Sequence, residues 1–169
     1  MVNVMKLIFD YSKKGHPLGQ EIHQNEVPIL ISKLRNRLFQ VQNVLNLSPS
    51  SLIVLEEELI ELVNDNQKTI ISEEEIVEII REIAAYFGEV LVLHADGKWQ
   101  PQGSLWNTRV IFKGEIKIDK GGGRNIARSI SLSLGNIASS AWESIIMGKR
   151  PNLYNEYLSA KIKIHKEKI

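Results

Sequence analysis

The sequence contains no cysteine. That excludes disulfides, thiol catalysis and cysteine-ligated metals, and it fits a cytoplasmic protein. No apolar run reaches transmembrane length, so no membrane partner is expected. The N-terminus lacks a basic stretch followed by a long apolar segment and a small-residue cleavage site, the pattern of a secretory signal. A formal net charge of +1 gives no overall nucleic-acid signature. Aromatic residues make up 7% of the chain, and none lies on the basic face of the strand expected at 106–118, which argues against base stacking.

Catalytic signatures are missing too. No Gly-x-Ser-x-Gly elbow is present. The four histidines, His16, His23, His94 and His165, form neither a helical metal pair nor a metalloprotease pattern. The glycines at 121–123 are followed by Arg124-Asn125, not by the Lys and Ser or Thr of a phosphate loop, and Ile126 stands where a dinucleotide fingerprint needs glycine. The acidic run at 56–61 lacks the alternating Asp/Asn pattern of a calcium loop. The reading assigns no catalytic residue, no cofactor and no metal.

What is present is enough for one core. At 169 residues and 43% hydrophobic, the chain reads as a single α+β domain over 1–169, with 1–25 and 162–169 as loosely packed arms. Residues 1–11 read as a short strand. Val27, Leu30, Ile31, Leu34, Leu38, Val41 and Leu45 form a helical stripe with Pro28 in the first turn. Ser48-Pro49-Ser50-Ser51 starts a helix at about 50–64 that buries Leu52, Leu55, Leu59, Leu62 and Val63, with Glu56, Glu57, Glu58 and Glu61 facing water. Ser72 and Glu75 make a capping box. Ile76, Ile79, Ile80, Ile83, Ala84 and Phe87 then line one buried helical face.

The spacing predicts that this helix closes at Gly88 and that Val90-Leu91-Val92-Leu93, apolar on both faces, forms an interior strand over 89–95. Asp96-Gly97 is then a hairpin turn that sets His94 opposite Trp99. Strict alternation predicts a continuous strand over 106–118, bent or bulged at Gly114; a turn at Lys113-Gly114 would mix apolar and charged residues on each face. Residues 127–134 fit a strand and a helix equally by period, and Gly135-Asn136 favours a strand there with a helix over 136–147. A last helix is expected at 152–161, with a frayed basic tail. The fold class that follows is α+β: N-terminal helices packed on a small, mainly antiparallel sheet, with C-terminal helices.

The stretch Ala84-Ala85-Tyr86-Phe87-Gly88-Glu89-Val90, followed by Gly97-Lys98-Trp99, resembles a pattern in a loose group of small bacterial α+β domains of unknown function. In that group a helix ending in Tyr-x-Gly-Glu runs into a strand and a Gly-Trp turn. The resemblance covers roughly residues 50–160 and implies an immunity or accessory role, with no catalytic residues.

Charge is polarised along the chain. Residues 56–82 hold ten acids and two bases, whereas 109–169 hold twelve bases and five acids. Either these are solvated faces of an ordinary domain or the acidic surface receives a basic partner. The leading expectation is therefore a non-catalytic domain that binds another protein. A second is a small-ligand binder or enzyme with a pocket near Glu89, His94, Trp99 and Arg109, where Trp106 would add an aromatic wall. A third is a structural homo-oligomer that pairs through the strand at 106–118.

Overall fold

The structure, a computed structural model, describes residues 3–66, 71–100, 103–112, 116–117, 126–127 and 130–167. Its helices are α1 (Val4–Lys13), α2 (Val27–Arg37), α3 (Ser51–Asn66), α4 (Glu73–Ala95), α5 (Leu134–Ile146) and α6 (Leu153–Glu167). Its strands are β1 (Lys98–Gln100), β2 (Arg109–Phe112), β3 (Ile116–Lys117), β4 (Ile126–Ala127) and β5 (Ile130–Ser133). β1, β2 and β5 form an antiparallel sheet in that order, and β3 pairs with β4 in a second, two-stranded sheet. The fold is α+β, as the residue patterns imply.

The whole molecule is built on α4. Ser72 caps it, its Oγ accepting the Glu75 N–H at 3.2 Å, and Glu73, Glu74 and Glu75 meet the positive end of the helix dipole. The helix then continues straight through the expected break. Every residue from 79 to 88 is buried. α2 and α5 make the most extensive contacts with it, and β1 and β2 also pack against it. A helix enclosed on all sides is apolar on all sides. Val90-Leu91-Val92-Leu93 continues α4, with Val90 and Leu91 buried and Leu93 exposed, and is not a strand over 89–95; a short apolar run carries no period of its own.

Gly88 does not close this helix. It gives way to Trp99 instead: a Cβ built at Gly88 would lie 2.4 Å from Trp99 Cη2 and 2.7 Å from Leu134 Cδ1. The close is at Asp96, in the left-handed conformation with φ 55°, whose N–H bonds the Leu91 carbonyl. Asp96-Gly97 is therefore a helix cap, not a hairpin turn.

Other boundaries differ from expectation. Residues 4–13 form α1, not a strand. Asn3 caps it by accepting the Lys6 N–H at 2.8 Å, and Val4, Ile8 and the following Ile22 are fully buried. The expected strand over 106–118 is described as β2 and β3, which belong to different sheets. Trp106 and Asn107 lie in a turn before β2, and the expected bend at Gly114 lies outside the described residues, as does the triple glycine. Residues 130–133 are strand and α5 follows at once, Leu134 donating its N–H to the Thr108 carbonyl at 3.0 Å. Leu38 ends α2 and a 3₁₀ turn at Phe39–Val41 follows, so the helical stripe stops short of Leu45. α6 runs to Glu167, past the point where fraying was expected.

Candidate functional site

Of the five residues singled out by sequence, Glu89 and Trp99 meet. The Trp99 indole N–H donates to Glu89 Oε2 at 3.1 Å, one helical residue beyond the seat that Gly88 makes for the ring. His94 is not opposite Trp99. It projects from the last turn of α4, and its Nε2 bonds the Leu47 carbonyl at 3.0 Å. Tyr86 Oη, one further partner on α4, accepts the Leu47 N–H at 3.1 Å. Leu47 has φ 65°, a costly conformation for a leucine, and α4 grips it from both sides.

Arg109 is directed elsewhere again. The register pairs Trp99 with Val110 and Gln100 with Arg109, so alternation puts Trp99 and Arg109 on opposite faces of the sheet. The Arg109 guanidinium donates to Ser131 Oγ at 3.1 Å. Trp106 offers its backbone carbonyl to Ser133 Oγ at 2.7 Å. These contacts hold the turn before β2, the sheet and the start of α5 together. The geometry joins Glu89 to Trp99 and disperses His94, Trp106 and Arg109.

The densest charge in the structure lies between α2 and α4. Glu82 is 1% exposed, and Arg37 clamps it with two bonds, Nε to Oε2 at 3.0 Å and Nη2 to Oε1 at 3.1 Å. Arg37 Nη1 also reaches Glu75 at 3.0 Å, and Lys33 reaches Glu78 at 2.8 Å. Burial pushes the Glu82 carboxyl above the usual carboxylate value even against the pull of Arg37. The Lys33 hydrogen bond holds Glu78 below it. Arg81, also buried, donates to the Leu18 and Gln20 carbonyls and lies 3.6 Å from Glu26, tying the segment before α2 to α4. Its guanidinium is lowered by burial.

The α4 side of Arg37 is thus saturated with carboxylates. Its other side borders a cleft of about 270 Å³ between the 3₁₀ turn and α3, lined by Arg37, Phe39, Glu58, Glu61, Leu62 and Asp65 among others. Among the described residues no cation lies within ion-pair distance of Glu58, Glu61 or Asp65. Burial, with the charges of Glu61 and Glu57, raises the Glu58 carboxyl.

This acidic row is placed against its own helix. Glu58 and Glu61 are spaced i, i+3, Glu61 and Asp65 i, i+4, and each like-charged pair costs about 0.2–0.5 kcal/mol. Glu61 and Asp65 also lie in the C-terminal half of α3, whose last turn has no basic residue and whose first turn has no acidic one. Carboxylates there oppose the helix dipole, which adds roughly 0.3–1 kcal/mol for a charge in the last turn. Glu56 departs from the expected pattern. It is 4% exposed and works structurally, accepting the Tyr154 N–H at 2.8 Å at the start of α6, with Arg150 at 3.4 Å. Sequence reasoning found the excess of acid in this region but not Arg37 or Phe39, which reach it only because the end of α2 and the 3₁₀ turn border α3 in space.

A second cleft, of about 220 Å³, lies between α5 and α6 and is lined by Asn136, Ser140, Ser144, Asn152 and Glu156 among others. Among the described residues no group of three His, Cys, Asp or Glu side chains could hold a metal ion, and no helix is long and apolar enough to cross a membrane. No protein-family model matches the chain, and neither a curated protein nor a solved structure matches it.

Proposed function

We propose that this chain is a non-catalytic recognition domain that binds a basic segment of another protein in the acidic cleft between α3 and the 3₁₀ turn at Phe39–Val41. The observation that carries the reading is the unneutralised row Glu58, Glu61 and Asp65. It costs the isolated helix stability through like-charge repulsion and dipole mismatch, and a cationic partner would relieve both. Arg37 cannot relieve them from within, since Glu82 and Glu75 already occupy its guanidinium. An immunity or accessory protein acting in the cytoplasm is one concrete form of such a domain.

The test is an affinity capture from the source cell at low and raised salt, with wild type beside a Glu58→Gln/Glu61→Gln/Asp65→Asn variant. A protein held by wild type at low salt, released as salt rises and not held by the variant supports the reading. Identical sets of captured proteins from both baits would refute it.

A further inference from the structure

The chemistry of the occupant can be taken one step further, and this step rests on the reading just given. The cleft joins the acidic row to an exposed aromatic ring. Phe39 is 69% exposed at the first position of the 3₁₀ turn, and it lines the same cleft as Glu58, Glu61, Leu62 and Asp65. Lysine and arginine differ in what they make of such a surface. An ammonium is compact and strongly hydrated, so it gives up more hydration to approach an aromatic face and cannot stack on it. A guanidinium is planar and weakly hydrated, so it lies flat on an aromatic face while its edge forks onto a carboxylate. The fold contains a worked example of the second half of this geometry on the neighbouring face, where Arg37 forks onto Glu82. That use also removes Arg37 as an internal occupant of the cleft. From the charge complementarity and the exposed ring together, we infer that the partner segment enters with an arginine side chain, its guanidinium stacked on Phe39 and directed at the Glu58, Glu61 and Asp65 carboxylates.

The experiment uses the full chain and two fluorescein-labelled probes of equal length and charge, a Gly-Arg repeat peptide and a Gly-Lys repeat peptide, read by fluorescence anisotropy at low salt. Wild type is expected to bind the arginine probe up to about fivefold more tightly than the lysine probe, the scale of one cation–π contact at an exposed site. Phe39→Leu is expected to bring the two affinities together by weakening the arginine probe more than the lysine probe. Because Phe39 is exposed, this variant keeps its fold, which circular dichroism verifies. Glu58→Gln/Glu61→Gln/Asp65→Asn should weaken both probes. Equal affinities in wild type, or a preference that survives Phe39→Leu, would overturn the arginine assignment while leaving acidic recognition standing. No binding of either probe would overturn both. Sedimentation showing a dimer that the triple variant dissociates would assign the cleft to a second copy of the chain and likewise overturn the inference.

Discussion

Gly88→Ala separates two accounts of the centre of this molecule. If Gly88 closed a helix in the left-handed conformation, alanine would cost about 1 kcal/mol wherever else the chain was changed. In the structure Gly88 is inside α4, and its missing side chain is filled by the Trp99 ring and by Leu134. Two terms then compete. Alanine gains about 0.8–1.0 kcal/mol of helix propensity over glycine. Against that, a Cβ 2.4 Å from the Trp99 ring forces the indole away, and overpacking costs about 1–3 kcal/mol. The displaced ring also strains the bond from its N–H to Glu89. Gly88→Ala should therefore destabilise by about 1 kcal/mol net, the packing term prevailing. With Trp99→Ala in the background the obstruction is largely gone. Leu134 Cδ1, at 2.7 Å, can rotate away, and the same substitution should turn neutral or stabilising by up to about 1 kcal/mol. Urea denaturation of the four proteins in this cycle measures the coupling, expected at about 2 kcal/mol, the packing term alone, since the helix-propensity gain is common to both backgrounds. A coupling below about 0.5 kcal/mol would refute the packing account.

Further outcomes follow from the same geometry. Glu61→Lys should remove the like-charge pairs with Glu58 and Asp65, raising stability by about 0.5–1 kcal/mol and the melting temperature by a few degrees, while weakening capture of a basic partner; calorimetry showing a loss would contradict the repulsion argument. Arg37→Met leaves the buried Glu82 without its counter-ion and should cost about 3–5 kcal/mol in chemical denaturation, most of it restored when Glu82→Leu is added. Tyr86→Phe removes the Oη that meets Ser51 Oγ at 2.6 Å and the N–H of the strained Leu47, for a cost of about 1–3 kcal/mol. Glu78, held below its ordinary value of 4.5 chiefly by Lys33, contributes stability that is present above pH 4.5 and is lost as pH falls through its lowered folded value. A stability–pH profile of Glu78→Gln should lack that component, and an unchanged profile would contradict it.

Several elements were legible in the residues because their signal is local. The Ser72 cap needs only a hydroxyl three residues ahead of a backbone N–H, and α3 announces itself by Leu52, Leu55 and Leu59 at helical spacing. A strand followed by a helix was legible near Gly135-Asn136, although the helix starts at Leu134, two residues ahead of the expected 136, and Ala127 belongs to β4 in the other sheet. The candidate site was legible only as an excess of carboxylates. Its lining draws Arg37 and Phe39 from one segment and Glu58 to Asp65 from another, and no spacing in the chain records that meeting.

Composition and period by themselves determined a cysteine-free α+β chain with an acidic middle and a basic end, and most of its helices. Tertiary structure decided where α4 stops. Val90 to Leu93 are compatible with strand or helix in isolation, and burial of Val90 and Leu91 against the surrounding elements holds the run as helix while Leu93 stays exposed. It also decided the meaning of Gly88, which local rules read as a terminator and packing uses as a seat for Trp99. The physical reason is the same in both cases. Local propensities differ by about 1 kcal/mol per residue, whereas burying or excluding a large side chain at that position is worth about 1–3 kcal/mol, so the neighbours in space prevail over the neighbours in sequence.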